Sequence, residues 1–375
     1  MRIKFLFILF FGCSLFLSYE QLYAQKLEPS EIEGRIIDWD TNKPLRGVHV
    51  FLSGTKIGTV TNEAGRYRLE RVPPGSHRLV ISKVGYQRSL NEYLFEPGKS
   101  DRRSFRLKPA VYELDEIFAG NLDETWEEHL EEFKRLFLGE SALADSVEIM
   151  NPEVLRFERR WWGRFTAEAL APLVIENHSL GYRITYYLDE FYHSGTRTRW
   201  DGEPLYSEMT PADSDEAIKW EENRREAFMG SLRHFFIAMI EGREDAEGFV
   251  VYNQRSSAHP AFSTRKTRVS ANRIIREAER DYLQQMRFSG RLEIVYTGAP
   301  EDLRYVQWSR EINRRPARNQ TSYLELNRRA ITIDPDGEVL ETYGATRYGY
   351  FSFHRVADQT PREYRPAEYQ LSTFE

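Results

Sequence analysis

Residues 54–69 read GTKIGTVTNEAGRYRL, and the reading of this stretch decides the fold. Thr59 and Thr61 flank Val60, Tyr67 and Leu69 alternate with Arg66 and Arg68, and Asn62-Glu-Ala-Gly65 interrupts the alternation. Alternation with period two places successive side chains on opposite faces of a strand, and an Asn…Gly break marks a turn. The stretch predicts two short β-strands on either side of that turn.

The pattern extends in both directions. Short alternating runs, IEGRIID, PLRGVHVFLSG, IGTVT, GRYRLERV, GSHRLVISKVGY and RRSFRLKP, are separated by turn residues from Glu31 onward. Short strands at this spacing predict an all-β sandwich of about seven strands. Val48, Val50 and Leu52 are expected on its core face, with His49 and Phe51 on the other. The ordered landmarks Gly34-x-Ile36, Pro44-Leu45-x-Gly47-Val48-x-Val50, Gly54-Thr55-x-x-Gly58-Thr59-x-Thr61, Gly65-x-Tyr67-x-Leu69, Pro74-Gly75 and Gly85-Tyr86 closely resemble the carboxypeptidase regulatory-like domain over residues 31–109. That resemblance implies a transthyretin-like β-sandwich, also grouped with carbohydrate-binding-like folds. Gly58, Gly65, Gly75 and Gly85 stand where strands must reverse or a backbone must take positive φ, so the opening stretch reads as scaffold rather than site.

The chain opens MRIKFLFILFFGCSLFLSYEQLYAQ, with Arg2 and Lys4 before an apolar run from Phe5 to Leu17 and Ala24 at a cleavage position. The run is too short to span a bilayer and fits a secretory signal over residues 1–24, so the mature protein is expected in the periplasm or associated with the outer membrane. Cys13, the single cysteine, falls inside this signal; a lipoprotein acylated at Cys13 is the lesser alternative. The mature chain then has no thiol for a disulfide or a thiolate metal site. With 41% hydrophobic residues, the chain is rich enough for packed cores, and no later stretch reads as a membrane-crossing helix.

Charge separates the two halves. Residues 25–109 carry 16 Lys and Arg against 10 Asp and Glu, a net of +6, whereas residues 110–375 carry 34 against 47, a net of −13. The two parts attract each other, or the basic part faces an anionic envelope surface; nucleic acid is not an expected partner for an exported acidic protein.

VYELDEIFAG, residues 111–120, resembles the segment that follows the same module in outer-membrane nutrient receptors, but too few residues remain for a plug and a barrel. Residues 110–122 are therefore read as a linker. Beyond it, Trp126, Leu130, Phe133 and Phe137 have helical spacing, with Asp123 as cap and Gly139 as stop. A second helical region from Asp213 to Glu241 is expected to break near Gly230, with Ser231 capping its second part. LRFERRWWGRFTAEA, LGYRITYYLDEFY, GFVVYN, GRLEIVYT, YVQWSREI, YLELNRRAITID and GYFSFHRV read as strands. Residues 123–375 are thus an α+β domain dominated by antiparallel strands. The layout is similar to bacterial envelope proteins in which this sandwich precedes a large domain of unknown function.

Candidate chemistry is sparse. His129 and Glu132 match the His-x-x-Glu pair of zinc carboxypeptidases, and His259 stands at a separation suited to a third ligand, but the pair lies in an acidic amphipathic helix whose apolar stripe leaves His129 toward solvent. Ser53-Gly-Thr-Lys56 has the Ser-x-x-Lys spacing at a strand end rather than a helix start. Asp38-x-Asp40-x-Asn42 has alternating oxygens, but Lys43 replaces the glycine a calcium loop requires. Asp334-Pro-Asp-Gly337 reads as a tight turn. Neither a catalytic set, a metal site nor a cofactor is expected from these residues.

Aromatics crowd the strands of the large domain: Trp161 and Trp162, Tyr186 and Tyr187, Phe191 and Tyr192, Tyr348, Tyr350, Phe351 and Phe353. Neighbouring residues of a strand face opposite ways, so Trp161, Trp162, Tyr187, Tyr192 and Tyr350 are the candidates for exposed aromatics that stack on sugar rings or a partner protein; a two-sided core is the competing account. The sequence thus points to a non-catalytic envelope protein that recognises or organises a protein or glycan partner. The alternative is an exported hydrolase with its site in the C-terminal domain.

Overall fold

A computed structural model of the chain describes residues 28–110, 124–161, 163–254, 266–280, 283–311, 314–367 and 369. The proposed signal, including Cys13, most of the linker, Asp123, Trp162 and His259 lie outside the described residues. These residues divide into two compact units. The smaller is built from the chain up to Ser53 and from Ile57 to 110, and the larger from Gly54–Lys56 and everything from Glu124 on.

The smaller unit has strands β1 (Ser30–Asp38), β2 (His49–Leu52), β3 (Gly58–Val60), β4 (Arg66–Val72), β5 (Gly75–Ser82), β6 (Ser89–Phe95), β7 (Ser100–Arg102) and β8 (Phe105–Leu107). One sheet runs β4-β1-β7, with β8 following β7 along the same edge of β1; the other runs β3-β2-β5-β6. Ile32, Ile36, Val48, Val50, Leu52, Tyr67, Leu69, Leu79 and Ile81 pack between the sheets, and each such side chain contributes roughly 1.5–3 kcal/mol by leaving water.

The turn at Asn62–Gly65 is present, but its flanking strands do not pair. β3 hydrogen-bonds to β2 and β4 to β1, so the turn carries the chain from one sheet to the other. Asn62 makes this possible: its Oδ1 accepts from the N–H groups of Ala64 and Arg66, each at 3.0 Å. Gly65 has φ +69°, and a Cβ there would meet the Ile36 carbonyl oxygen at 2.5 Å. Gly34 is required by close approach alone, since the Arg103 carbonyl oxygen would lie 1.6 Å from its Cβ. Phe51 lies on the face away from Val50 and Leu52, where alternation puts it, but not in solvent. It is fully buried, as is Val80, its partner in β5, so that sheet carries apolar side chains on both faces. Asp38 is engaged in its own turn, accepting at Oδ1 from Thr41 and Asp40 and at Oδ2 from the Tyr86 hydroxyl.

In the larger unit, α1 (Glu124–Phe137) precedes β9 (Val147–Ile149), β10 (Leu155–Arg159), β11 (Phe165–Ala169), β12 (Leu173–Asn177), β13 (Tyr182–Ser194) and β14 (Arg197–Glu208). Helices α2 (Ser214–Phe228) and α3 (Leu232–Glu241) come next, then β15 (Phe249–Gln254), β16 (Lys266–Arg268), α4 (Ala271–Ile274), β17 (Ile275–Glu277), β18 (Gln284–Met286) and β19 (Arg291–Tyr296). The chain continues with α5 (Leu303–Trp308), β20 (Gln320–Leu326), β21 (Ile331–Ile333), β22 (Ala345–Gly349) and α6 (Tyr350–Phe353). A six-stranded sheet is organised around the long β13–β14 hairpin: β12 pairs with the first half of β13 and β11 with its second half. A five-stranded sheet has the order β16-β15-β19-β20-β22, and β17, β18 and β21 form a third. The described parts are thus an α+β assembly dominated by antiparallel strands.

The helices form where their apolar stripes meet these sheets. Phe133 and Phe137 of α1 are fully buried and contact Phe191 and Tyr186 of β13 at ring separations of 4.8 and 5.1 Å. Phe235, Phe236 and Met239 of α3 pack with Phe249, Leu292, Ile294 and Leu324 of the five-stranded sheet. The break between α2 and α3 falls at Gly230, φ +78°, and Ser231 caps α3 by accepting from the His234 N–H.

Two segments read as strands are helical instead. YVQWSREI supplies α5, started by Asp302, whose side chain accepts from the Arg304 N–H; this cap outweighs the local strand propensity. In GYFSFHRV the chain leaves β22 at Gly349, φ +67°, where a Cβ would meet the Thr321 carbonyl oxygen at 2.6 Å, and winds into α6.

Buried charge fixes the C-terminal segment. Asp334 accepts from the N–H groups of Asp336 and Glu338 and from the Arg362 guanidinium, while Arg233 donates to the carbonyls of Thr360, Pro361 and Tyr364. Burial raises the Asp334 carboxyl and Arg362 draws it back; with three donors on it, the carboxylate is the form this geometry supports.

Candidate functional site

The far half of the β13–β14 hairpin has two dissimilar faces. Phe191 lies opposite Trp200 and His193 opposite Thr198, on the face covered by α1. Tyr192 lies opposite Arg199 and Ser194 opposite Arg197, on the other face. Strand alternation alone produces this division. Arg164, at the entry to β11, joins the second group, and Arg164, Glu190, Tyr192, Ser194, Arg197 and Arg199 line a depression of about 470 Å³.

Arg164 and Arg199 both approach the Tyr192 ring, each with its guanidinium carbon 5.4 Å from the ring centre. Arg199 also lies 4.9 Å from the centre of the Tyr343 ring and pairs with Glu190 at 2.8 Å. The Tyr343 hydroxyl donates to the second Glu190 oxygen at 2.8 Å. Burial and this bond to Glu190 push the Tyr343 phenol well above its ordinary value, so it stays protonated as a donor. Glu190 is thus engaged by two partners and is the one carboxylate among the lining residues. Three guanidiniums against one carboxylate leave the depression positive, within a half of the chain that is strongly acidic. At 4 Å each guanidinium is worth about 1 kcal/mol to an anion in a water-like medium and about 4 kcal/mol near a protein surface, before salt screening.

Two hairpin tips stand at this end of the sheet. Phe165 of β11 is paired with His193 of β13, so the β10–β11 turn and the β13–β14 turn at Gly195 lie side by side. In the first turn the Arg160 N–H bonds to the Arg164 carbonyl at 2.8 Å and the Gly163 N–H to the Arg160 carbonyl at 2.9 Å. This tight closure projects Trp161, which is 92% exposed.

Of the aromatic candidates, Trp161 and Tyr192 are brought to one end of the sheet. Tyr187 and Tyr350 are not available: they are 7% and 5% exposed. Both faces of β13 are buried at Tyr186–Tyr187, and Tyr350 packs with Tyr305, Phe353 and Trp308. His129 is also corrected. It is half-buried, with its ring 5.4 Å from that of Phe165, and Arg159 donates to it at 3.4 Å while pairing with Glu132. A guanidinium beside both groups repels a divalent cation from the pair. Among the described residues no cluster of three or more His, Cys, Asp or Glu is placed to hold a metal ion, and no helix is long and apolar enough to cross a membrane. Arg164, Arg197, Arg199, Glu190 and Tyr343 were not anticipated, although the Arg-x-Arg spacing after Tyr-His-Ser-Gly already places Arg197 and Arg199 on one face with Tyr192.

Comparison with known proteins bears on the smaller unit. Residues 32–119 match the family model described as CarboxypepD_reg-like domain. This segment is a carboxypeptidase regulatory-like domain. The close backbone approaches at Gly34 and Gly65 lie within the regulatory-like domain and account for two of its glycine landmarks. No curated protein sequence matches the chain. Among solved structures, 3-chlorocatechol 1,2-dioxygenase of Rhodococcus opacus is 14% identical over 22% of this chain and 60% of its own, with a TM-score of 0.19. A chain of a type II cohesin–X-dockerin complex of Acetivibrio cellulolyticus is 19% identical over 31% of this chain and 79% of its own, TM-score 0.20. The minor pilin of Streptococcus agalactiae is 18% identical over 23% of this chain and 46% of its own, TM-score 0.20. The match thus spans less than two thirds of the dioxygenase and of the pilin.

Proposed function

We propose that this chain is an exported, non-catalytic recognition protein of the cell envelope, whose larger unit binds an anionic group on its partner. One observation carries the reading: Arg164, Arg197 and Arg199 line one depression against the single carboxylate of Glu190. Arg199 and Glu190 neutralise each other, and Arg164 rests on Tyr192 rather than on a carboxylate. The charge left over is available to a carboxylate, sulfate or phosphate. A hydrolase in this depression would need a second acid or base beside Glu190, which is already bonded to Arg199 and Tyr343. The regulatory-like domain supplies the scaffold that precedes the recognition unit.

The reading is tested by titrating the mature chain with dextran sulfate and with uncharged dextran at 50 and 300 mM NaCl. Binding of the sulfated polymer alone is expected, weakening at the higher salt, with Arg164→Gln/Arg197→Gln reducing affinity at least tenfold. Equal affinity of the double variant would overturn the assignment.

A further inference from the structure

The face of the β13–β14 hairpin that α1 covers, opposite the depression, carries a second concentration of positive charge, centred on Trp200 of β14. Arg347 of β22 and Arg355, two residues beyond α6, bring their guanidinium carbons to 5.4 and 5.0 Å from the centre of its ring system. The end of α1 closes over the group. Phe137 lies edge-on to Trp200 at 6.2 Å, and Gly139 runs so close that a Cβ there would meet Arg355 Cβ at 2.9 Å. Elements far apart in sequence thus place two cations on one partly buried indole.

What these groups lack is an acceptor. Among the described residues neither guanidinium donates a hydrogen bond or lies within ion-pair distance of a carboxylate, and the Trp200 indole N–H has no acceptor. The acids around them are Glu338 and Asp358 for Arg347, and Glu140 and Asp358 for Arg355. Asp358 accepts the Arg355 backbone N–H at 2.9 Å, and Glu140 faces Arg135 at 3.7 Å. Burial, and then the charge of Arg347, lower the Arg355 guanidinium to about 10, so it is still a cation at neutral pH. Stacking on an indole engages the flat face of a guanidinium and leaves the five N–H groups at its rim unsatisfied. Water satisfies such donors but brings no counter-charge.

We propose that Trp200, Arg347 and Arg355 form a second anion site, which takes a small free oxyanion, phosphate or sulfate. The guanidinium fork matches two oxygens of such an ion with parallel hydrogen bonds, a geometry that chloride lacks. Partial burial of all three residues suits a single ion rather than a polymer, and strengthens its attraction to the two cations. Trp200 belongs to the six-stranded sheet and Arg347 to the five-stranded one, so the ion ties the two sheets together and stabilises the larger unit.

The site does not depend on the depression, and the test separates the two. Thermal melts of the full mature chain are run from 0 to 20 mM phosphate, with ionic strength held at 150 mM by NaCl. The midpoint is expected to rise by about 3 °C, and sulfate should act alike. Arg164→Gln/Arg197→Gln should keep the rise and Arg347→Met should abolish it. An equal rise in Arg347→Met would reveal a general salt effect and overturn the site. A rise lost in Arg164→Gln/Arg197→Gln would place the ion in the depression and overturn it too, as would no rise in the parent. Equilibrium dialysis of Arg164→Gln/Arg197→Gln against radiolabelled phosphate leaves the three residues of the site untouched. One ion per chain is expected to remain bound; none would overturn the proposal even where Arg347→Met fails to fold.

Discussion

Tyr343 donates its hydroxyl to Glu190 at 2.8 Å from a backbone with φ of 56°. A bulky residue in the left-handed region costs of order 1–3 kcal/mol, and the Asn327 side-chain amide, donating to the Tyr343 carbonyl at 2.8 Å, helps hold it there. The consequence is a fixed Arg199, flanked by Tyr192 and Tyr343 and anchored by Glu190. Removing the Glu190 charge by Glu190→Gln takes away a repulsion of about 1 kcal/mol against any anion in the depression. Affinity for dextran sulfate at 50 mM NaCl is expected to rise about fivefold; an unchanged value in calorimetry would mean the polymer does not sit beside Glu190.

Gly65→Val is expected to destabilise the regulatory-like domain by about 2–4 kcal/mol, because positive φ and the collision with the Ile36 carbonyl act together. Arg66→Ala, an exposed position beside it, should stay within about 0.5 kcal/mol of the parent. Urea unfolding of the two variants makes the comparison, and equal midpoints would remove the turn's role.

Breaking the buried pair at the C-terminal segment should be severe. Arg362→Met leaves the Asp334 carboxylate at 1% exposure without its cation, a change that costs about 3–5 kcal/mol. The double variant Asp334→Asn/Arg362→Met should recover part of that loss, since no buried charge is stranded. Thermal melts that show the double variant no better than the single one would contradict a direct pairing.

His234 sets an acid limit on the larger unit. It is fully buried among Phe228, Phe249 and Tyr296; Nδ1 accepts from the Gly230 N–H at 3.0 Å, so Nε2 carries the proton toward Glu247 at 3.3 Å. Burial lowers its pKa, with Glu247 opposing. The unfolded chain therefore binds this proton first, at about 6.5, and the contribution to stability present above that pH is lost as pH falls through it. Denaturant midpoints from pH 7.5 to 5 should fall less steeply in His234→Gln than in the parent; parallel slopes would exclude His234 as the group responsible.

His129→Ala is expected to cost about 1 kcal/mol through lost contact with Phe165 and Phe157, without altering anion binding. A variant as stable as the parent in urea would restore the solvent-facing reading of this histidine.

Whatever rests on local rules was legible in the chain before it folded. Glycines and period-two alternation defined the sandwich, the 3.6-residue spacing of Trp126, Leu130, Phe133 and Phe137 defined α1, and Gly230-Ser231 marked the break between α2 and α3. Each depends on residues a few positions apart, where sterics and hydrogen bonding act without help from the rest of the chain. Tertiary structure decided everything that depends on long-range pairing. The Asn62–Gly65 turn crosses between sheets because β3 and β4 find partners elsewhere; Tyr187 is buried because both faces of β13 are covered there, and Tyr350 because the chain winds into α6 and packs it with Tyr305 and Phe353. The depression was half legible: Tyr192, Arg197 and Arg199 follow from the hairpin's alternation. Arg164 and Tyr343 arrive from positions 28 and 151 residues away from Tyr192 in the chain, and only the pairing of β11 with β13 and the fold of the Tyr343 loop bring their charge and hydroxyl to the same place.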